Sequence, residues 1–401
     1  MDPSLDFPLD DAEFLLGDPY PAFRLLRERS PVHWYEKGGF WALTRHADVQ
    51  YVSRSPRLFR SSRGVLISQI DQMGSGTGDE MPPSIIMMDP PLHNRFRKLV
   101  MKVFTPRMVS NLEPRVREIA RECLDPILAG ETVDFVERVA EPLPMLVIAE
   151  LLGVPTTDRA DFKRWSDAMV DAGGSGVNPD NQANMAELFA YLGQKIEERD
   201  RDPRDDLLSA LLRAEIDGER LDAREVLMFC MTLLVAGNET TRNLISGGAY
   251  ELMRAPDQLR KLAGDPSRAA VEQAIEEMLR WVAPVRHFMR AATRNTELRG
   301  ERIAEGQFVV LYYASANRDE TVFGPDPDPE RFDIARRPGP HLSFGFGEHM
   351  CMGASLARLE ACVIFDELLA RFPRFELAGD PTWLRSILMN SITTMPVVFA
   401  R

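Results

Sequence analysis

Helical periodicity runs almost unbroken from residue 93 to about 280, and short strand-like pieces sit on either side of it. Stretches such as "HNRFRKLVMKVF", "PRVREIARECLDPIL", "DDLLSALLRAE" and "DAREVLMFCMTLLVAGNETTRNLISGGAYELM" place apolar residues at the spacing of one helix face. The breaks carry turn chemistry: "DAGGSGVNPDN" at 171–181, and the charged "EERDRDPRDD" at 197–206, which reads as a solvated connection. Before this middle, "YPAFRLLRERS" reads as a helix, and "PVHWYE" and "GFWALT" as strands. After it, strand pieces return between 284 and 313, notably "QFVVLYYAS". A proline-rich irregular segment at 324–340, one more helix and a strand-rich tail complete the chain. There is no internal repeat and no linker, so strands from both ends meet around the helical middle. The pattern predicts a mostly α fold in one body, with a smaller β region drawn from about 30–60, 284–320 and 375–401.

Charge and cysteine usage narrow the function. A net charge of -13 over 401 residues disfavours a nucleic-acid partner, which needs a basic face. Cys123, Cys230, Cys351 and Cys362 are scattered and form no C-x-x-C pair. They predict reduced thiols in a cytoplasm, not a disulfide framework or a zinc site. "MDPSLDFPLDDAEFLL" lacks a basic n-region and an apolar core, so no signal peptide is expected. The longest apolar run, at 226–237, is about 12 residues where a bilayer needs ~20, so no membrane anchor is expected. "GSGTG" at 74–78 lacks the preceding strand and following helix of a phosphate loop.

Three of the cysteines sit inside helical patterns and read as small buried hydrophobes. Cys351, in "HLSFGFGEHMCMGASLARLE" at 341–360, differs. It stands at the head of a helical pattern, where free N–H groups and the positive dipole end lower a thiol's pKa. Gly345, Gly347 and Gly353 strip away side chains, so a flat ligand can approach the backbone. A thiolate held this way is a nucleophile or an iron ligand, and no local pattern supplies a protease.

The stretch Phe344-x-x-Gly347-x-x-x-Cys351-x-Gly353 resembles the haem-binding loop of cytochrome P-450 monooxygenases. Three further motifs follow in that family's order, and the resemblance covers essentially the whole chain. It implies a single haem domain over 1–401, a triangular prism with a long central helix over haem b, and Cys351 as axial iron ligand. Phe344, Gly345 and Gly353 are the implied loop contacts. Glu277 and Arg280, three apart, share one helix face. The resemblance completes them with Arg331 of "PERF" in a network beneath the cysteine loop. In "LLVAGNETTRN", Gly237 costs the helix about 1 kcal/mol relative to alanine. Thr240 there can bond back to the carbonyl of Ala236 and bend the helix. The resemblance makes Glu239 and Thr240 the proton-delivery pair. In "DPPLHNRFR", His93 and Arg97 lie four apart and can share an anion. With Arg290 and His349 they form the implied set for two haem carboxylates.

Position along the chain assigns a pocket lining of Leu66, Ile67, Ile70, Ile85, Met87, Met228, Leu233, Val235, Ala236, Val285, Phe288 and Ile392. Collectively these predict an apolar cavity. The expected activity is insertion of one atom of dioxygen into a C–H bond of a sterol, terpenoid, fatty-chain or alkyl/aromatic substrate. Tailoring of a macrolide or polyketide is the alternative. The acid–threonine pair disfavours a peroxide-driven peroxygenase and a non-oxidising haem sensor. No flavin or iron–sulfur motif is present, so electrons are expected from NAD(P)H through ferredoxin reductase and ferredoxin. Arg95, Lys98 and Lys102 line one helix face, and Arg107 and Arg358 extend it as a basic docking surface. A bacterial, cytoplasmic monomer is expected.

Overall fold

A computed structural model describes residues 3–70, 82–175, 179–337 and 339–400, so "GSGTG" at 74–78 lies outside the described residues. The longest element is the helix Ala223–Arg254. Asp222 opens it by accepting from the Glu225 amide at 2.8 Å, while the Glu225 carboxylate accepts from the Asp222 amide at 3.0 Å. This reciprocal cap satisfies two donors that a helix start otherwise leaves orphaned. At 1.5 Å per residue the helix is about 48 Å long and crosses the body. It ends at Ala255, because Pro256 opens the next helix and cannot continue this one.

Helices Glu113–Leu124, Pro142–Leu151, Arg268–Val282 and Ala354–Arg371 pack with it around one continuous apolar core. Gly247 and Gly248 set its closest approach. A Cβ at Gly247 would sit 2.8 Å from Val282, and one at Gly248 2.6 Å from the Met278 sulfur. The helix Arg268–Val282 therefore lies directly against the central helix. That contact fixes where the cysteine loop, which follows in sequence, meets it.

A five-stranded sheet has the order Val32–Tyr35, Phe40–Leu43, Phe308–Tyr312, His287–Ala292, Phe59–Arg60. Phe308–Tyr312 runs parallel to Phe40–Leu43, so the sheet joins chain ends separated by the helical body. This is the β region expected from 30–60 and 284–320. The strand-rich tail departs from that expectation. Arg374–Leu377 and Pro396–Ala400 pair in a separate sheet with Thr132–Asp134. Val397 and Phe399 enter the helical core. Alternation in sequence marks a strand's buried face but not its partner.

The charged segment 197–206 is another departure. The helix Pro179–Arg201 runs into it, and Arg199, 2% exposed, donates to Asp206 at 2.5 Å. Asp206 in turn caps the helix Leu207–Arg213 through the Ser209 amide. A small hairpin, Glu215–Ile216 with Glu219–Arg220, turns on Asp217 and Gly218, both at positive φ. Among the described residues no helix is long and apolar enough to cross a membrane.

Candidate active site

Cys351 stands between a short turn, Gly347–His349, and the helix Ala354–Arg371, whose N-cap is Gly353. Its amide donates to the Phe344 carbonyl at 2.9 Å, closing the loop. Gly345 and Gly347 have φ of +68° and +71°. The side chain is accessible, yet protein surrounds the sulfur. That desolvation pushes the thiol pKa up, against the amides of Gly353 and Ala354 and the charges of Arg97 and Arg358. The sequence expectation of a lowered pKa is thus reversed, because the helix starts three residues after Cys351 and burial outweighs its N–H groups. A cation bound at the sulfur would favour the thiolate. Burial pushes Cys123, Cys230 and Cys362 each to about 12, the Arg268 charge opposing the rise only at Cys362 and a backbone hydrogen bond only at Cys230.

A buried network supports the loop from behind. Glu277 and Arg280 form a two-bond pair at 2.7 and 2.8 Å. Arg280 also donates to the carbonyls of Asn317 and Pro329, both at 2.9 Å. The third member is Arg336, which reaches Glu277 at 3.2 Å and the carbonyls of Phe323, Pro327 and Asp328. Arg331, assigned that place from sequence, is exposed and meets the network through its backbone, its carbonyl accepting from Arg280 and Arg336. The physical reason lies in the irregular segment. It folds back so that the later arginine points inward, and two guanidinium groups saturate one buried carboxylate. Asn317 then accepts from the Leu342 amide and donates to Ser343, which donates to the Leu279 carbonyl. These bonds tie the network to the cysteine loop. No motif marked Asn317, Ser343 or Arg336.

Four cationic or titratable side chains gather beside the loop. The rings of His93 and His349 lie 4.2 Å apart, and Ser61 lies 3.2 Å from the His349 Nε2. Asp89 holds Ser61 and Ser62 by their amides. Burial, then the charges of Arg290, His93 and Arg97, push His349 down to about 3. Burial also lowers His93, Arg97 and Arg290. Among the described residues none of the four forms a salt bridge with a carboxylate, and the His93 Nε2 is buried without a partner. The sequence-predicted set therefore converges, short of negative charge.

On the central helix, Thr240 donates its hydroxyl to the Ala236 carbonyl at 2.5 Å without breaking the helix. Glu239 is 9% exposed, and Arg242 lies 3.8 Å from it. Burial raises the Glu239 pKa, and Arg242 opposes the rise. Val235 and Ala236, one turn earlier, are exposed.

A sequence model described as cytochrome P450 matches residues 178–396. The methyl-branched lipid omega-hydroxylase of Mycobacterium tuberculosis is 37% identical, over 99% of this chain and 94% of its own. The steroid C26-monooxygenase of the same organism is 37% identical, over 98% of this chain and 92% of its own. The chain belongs to the cytochrome P450 family. The solved structure of the P450 CYP109Q5 from Chondromyces apiculatus superposes with a TM-score of 0.88 at 41% identity, covering 99% and 97% of the two chains. CYP109E1 from Bacillus megaterium, in complex with testosterone, gives 0.85 at 33% identity, covering 95% and 99%. As a P450 monooxygenase it carries a haem iron, and the residues fit that group. No three His, Cys, Asp or Glu among the described residues converge on a metal site, so an iron held at this cysteine loop would have to bring its other ligands with it. Arg97 and Arg290, unpaired with any carboxylate among the described residues, and the two histidine rings beside them suit the two carboxylates of a haem.

The residues expected to line the P450 pocket lie in several different settings. Leu66, Met87, Met228, Leu233, Val285 and Phe288 are half-buried. Ile85 and Ile392 lie in the helical core. Ile67 and Ile70 pack against the five-stranded sheet's own cluster instead. The basic face is also thinner than its sequence. Arg95 pairs with Glu219 and Glu225, and Lys102 donates to the Glu215 carbonyl. Arg358 pairs with Glu276 and lies 4.5 Å over the Phe344 ring, so it buttresses the cysteine loop. Lys98 and Arg107 remain exposed.

Proposed function

We propose that this P450 hydroxylates a long apolar molecule of lipid or steroid type. In this reading it takes its electrons from NAD(P)H through ferredoxin reductase and ferredoxin. Cys351 with His93, Arg97, Arg290 and His349 would hold haem b, which would supply dioxygen activation and transfer of one oxygen atom to a C–H bond, the other atom leaving as water. Cys351 contributes the anionic sulfur. Glu239, whose pKa burial raises, holds the proton that the reaction consumes and is recharged from solvent. The Thr240 hydrogen is committed to the Ala236 carbonyl, so its oxygen lone pairs accept a hydrogen bond in the groove.

The observation that carries this reading is the adjacent acid and hydroxyl on a continuous helix whose preceding turn is open and apolar. The relatives named for lipid and steroid oxidation support the substrate class. The experiment is a spectral titration of the ferric protein with a sterol, a methyl-branched fatty acid, a monoterpenoid and a macrolide, followed by turnover. A Soret shift with the sterol or the branched acid, and one hydroxylated product per reductant consumed, are expected. A shift with the macrolide alone would replace the substrate class. Thr240→Ala is expected to divert most reducing equivalents to peroxide, and fully coupled turnover in that variant would remove the threonine from proton delivery.

A further inference from the structure

Two hydroxyls that the sequence motifs did not mark meet where the central helix faces the segment before His93. Thr232 lies on the central helix, eight residues before Thr240. Positions 228, 232, 236 and 240 recur every four residues, so Met228, Thr232, Ala236 and Thr240 share a helix face. Ser84 precedes the turn Ile85–Met87, in the segment that leads to the helix bearing His93 and Arg97. The Ser84 and Thr232 hydroxyl oxygens are 3.0 Å apart, and both residues are half-buried.

The direction of this contact is set by a third atom. Thr232 donates its only hydroxyl hydrogen to the Met228 carbonyl at 2.8 Å. It can therefore only accept from Ser84, which spends its own hydrogen there. The Ser84 oxygen keeps its lone pairs. Among the described residues its side chain meets no other partner and caps nothing at the turn it precedes. The pair thus forms a relay, Ser84 to Thr232 to the Met228 carbonyl, that ends in a free acceptor. Its neighbours in sequence are Ile85, Met87, Met228, Leu233 and Val235, all apolar.

We propose that Ser84 and Thr232 anchor the hydroxyl of a long apolar alcohol, which donates to Ser84. Eight residues of helix rise place Thr240 ~12 Å from Thr232, so the carbon presented for oxidation lies about that far from the anchored hydroxyl. The inference rests on the monooxygenase reading and narrows its substrate to molecules with an alcohol at one end. A ketone or an ether fits less well. It has no hydrogen to donate, and Ser84 must abandon Thr232 to serve it.

The test is equilibrium titration of the ferric holoenzyme with lauryl alcohol and lauryl methyl ether, read by the Soret shift. The reduced CO band checks each preparation. The wild-type protein is expected to bind the alcohol roughly tenfold more tightly than the ether. In Ser84→Ala the ratio should fall to about one through loss of alcohol affinity. In Thr232→Val it should also fall, but through gain of ether affinity, because Ser84 regains a free hydrogen. A wild-type ratio near one, or a ratio kept in Ser84→Ala, overturns the anchor. So does a protein with an intact thiolate CO band that takes up neither probe, and that result leaves the monooxygenase reading standing. A protein without that band overturns both.

Discussion

At the scale of single residues, the cysteine loop depends on Gly347. Its φ is +71°, and a Cβ there would lie 2.5 Å from the Ser53 carbonyl oxygen. Backbone strain alone costs an L-residue about 1–2 kcal/mol in that region, and the carbonyl cannot step aside as a side chain would. Gly347→Ala is therefore expected to lower haem occupancy severalfold while far-UV circular dichroism stays near wild type. Full loading of that variant would show that the loop tolerates a different path. A second residue sets a pH dependence of stability. His287 is fully enclosed against Tyr312, and burial, then the Arg286 charge, lower its pKa to about 3. Its unfolded value is about 6.5. Between these values the unfolded chain binds the proton and the folded chain does not. Stability is therefore complete above about pH 6.5 and is lost as pH falls toward 3, by up to about 1.4 kcal/mol per pH unit. Denaturant melts of His287→Phe between pH 7 and 5 should show a shallower decline than wild type. Parallel declines would place the acid sensitivity elsewhere.

Among the elements, the helix Arg268–Val282 and the irregular segment after it work as one support. Glu277 is 3% exposed and carries both Arg280 and Arg336. Removing one partner of a buried pair costs about 3–5 kcal/mol, because the remaining charge stays desolvated. Arg336→Met should thus destabilise strongly and weaken haem retention, and Arg331→Met should do neither. Thermal melts with Soret retention separate the two, and equal effects would restore the network read from the motif. The contrast shows which parts of the site were legible in sequence. The cysteine loop, the Glu277–Arg280 pair and the Glu239–Thr240 pair are local, so spacing placed each on its loop or helix and the family resemblance marked it as part of the site. The inward arginine comes from an irregular stretch without periodicity, where no pattern distinguishes Arg331 from Arg336. The long helices were equally legible from their period, whereas the reciprocal cap of Asp222 and Glu225 came to light only in the structure. The sheet joined by Arg374–Leu377 and Pro396–Ala400 was not, because strand partners are chosen by packing between distant segments. Ser84 and Thr232 were illegible for the same reason, since their meeting spans a loop and a helix.

For the molecule as a whole, the open question is how an electron donor approaches a protein of net charge -13. Charge steering acts through patches and not through the total, and salt screens it within about 10 Å at 0.1 M. Five cationic residues marked the docking face in sequence, but folding engages three of them. Arg95 and Lys102 bind the Glu215–Arg220 hairpin and the start of the central helix. Arg358 is turned inward onto Glu276 and Phe344. Lys98 and Arg107 are left to meet a partner. Lys98 adjoins Arg97, whose charge acts on Cys351, and Arg107 lies on the helix Pro106–Asn111. If an acidic ferredoxin docks there, the double variant Lys98→Glu, Arg107→Glu should raise the ferredoxin KM several-fold and flatten its dependence on ionic strength. Because both side chains are exposed and, among the described residues, unpaired, the Soret spectrum should not change. Arg358→Glu should behave in the opposite way, altering the haem spectrum and loading even without ferredoxin, because it puts a second carboxylate beside Glu276 and withdraws a positive charge from the sulfur. An unchanged KM in the double variant would move the docking site off this face. A KM effect from Arg358→Glu with an unaltered spectrum would return Arg358 to the surface that the donor touches.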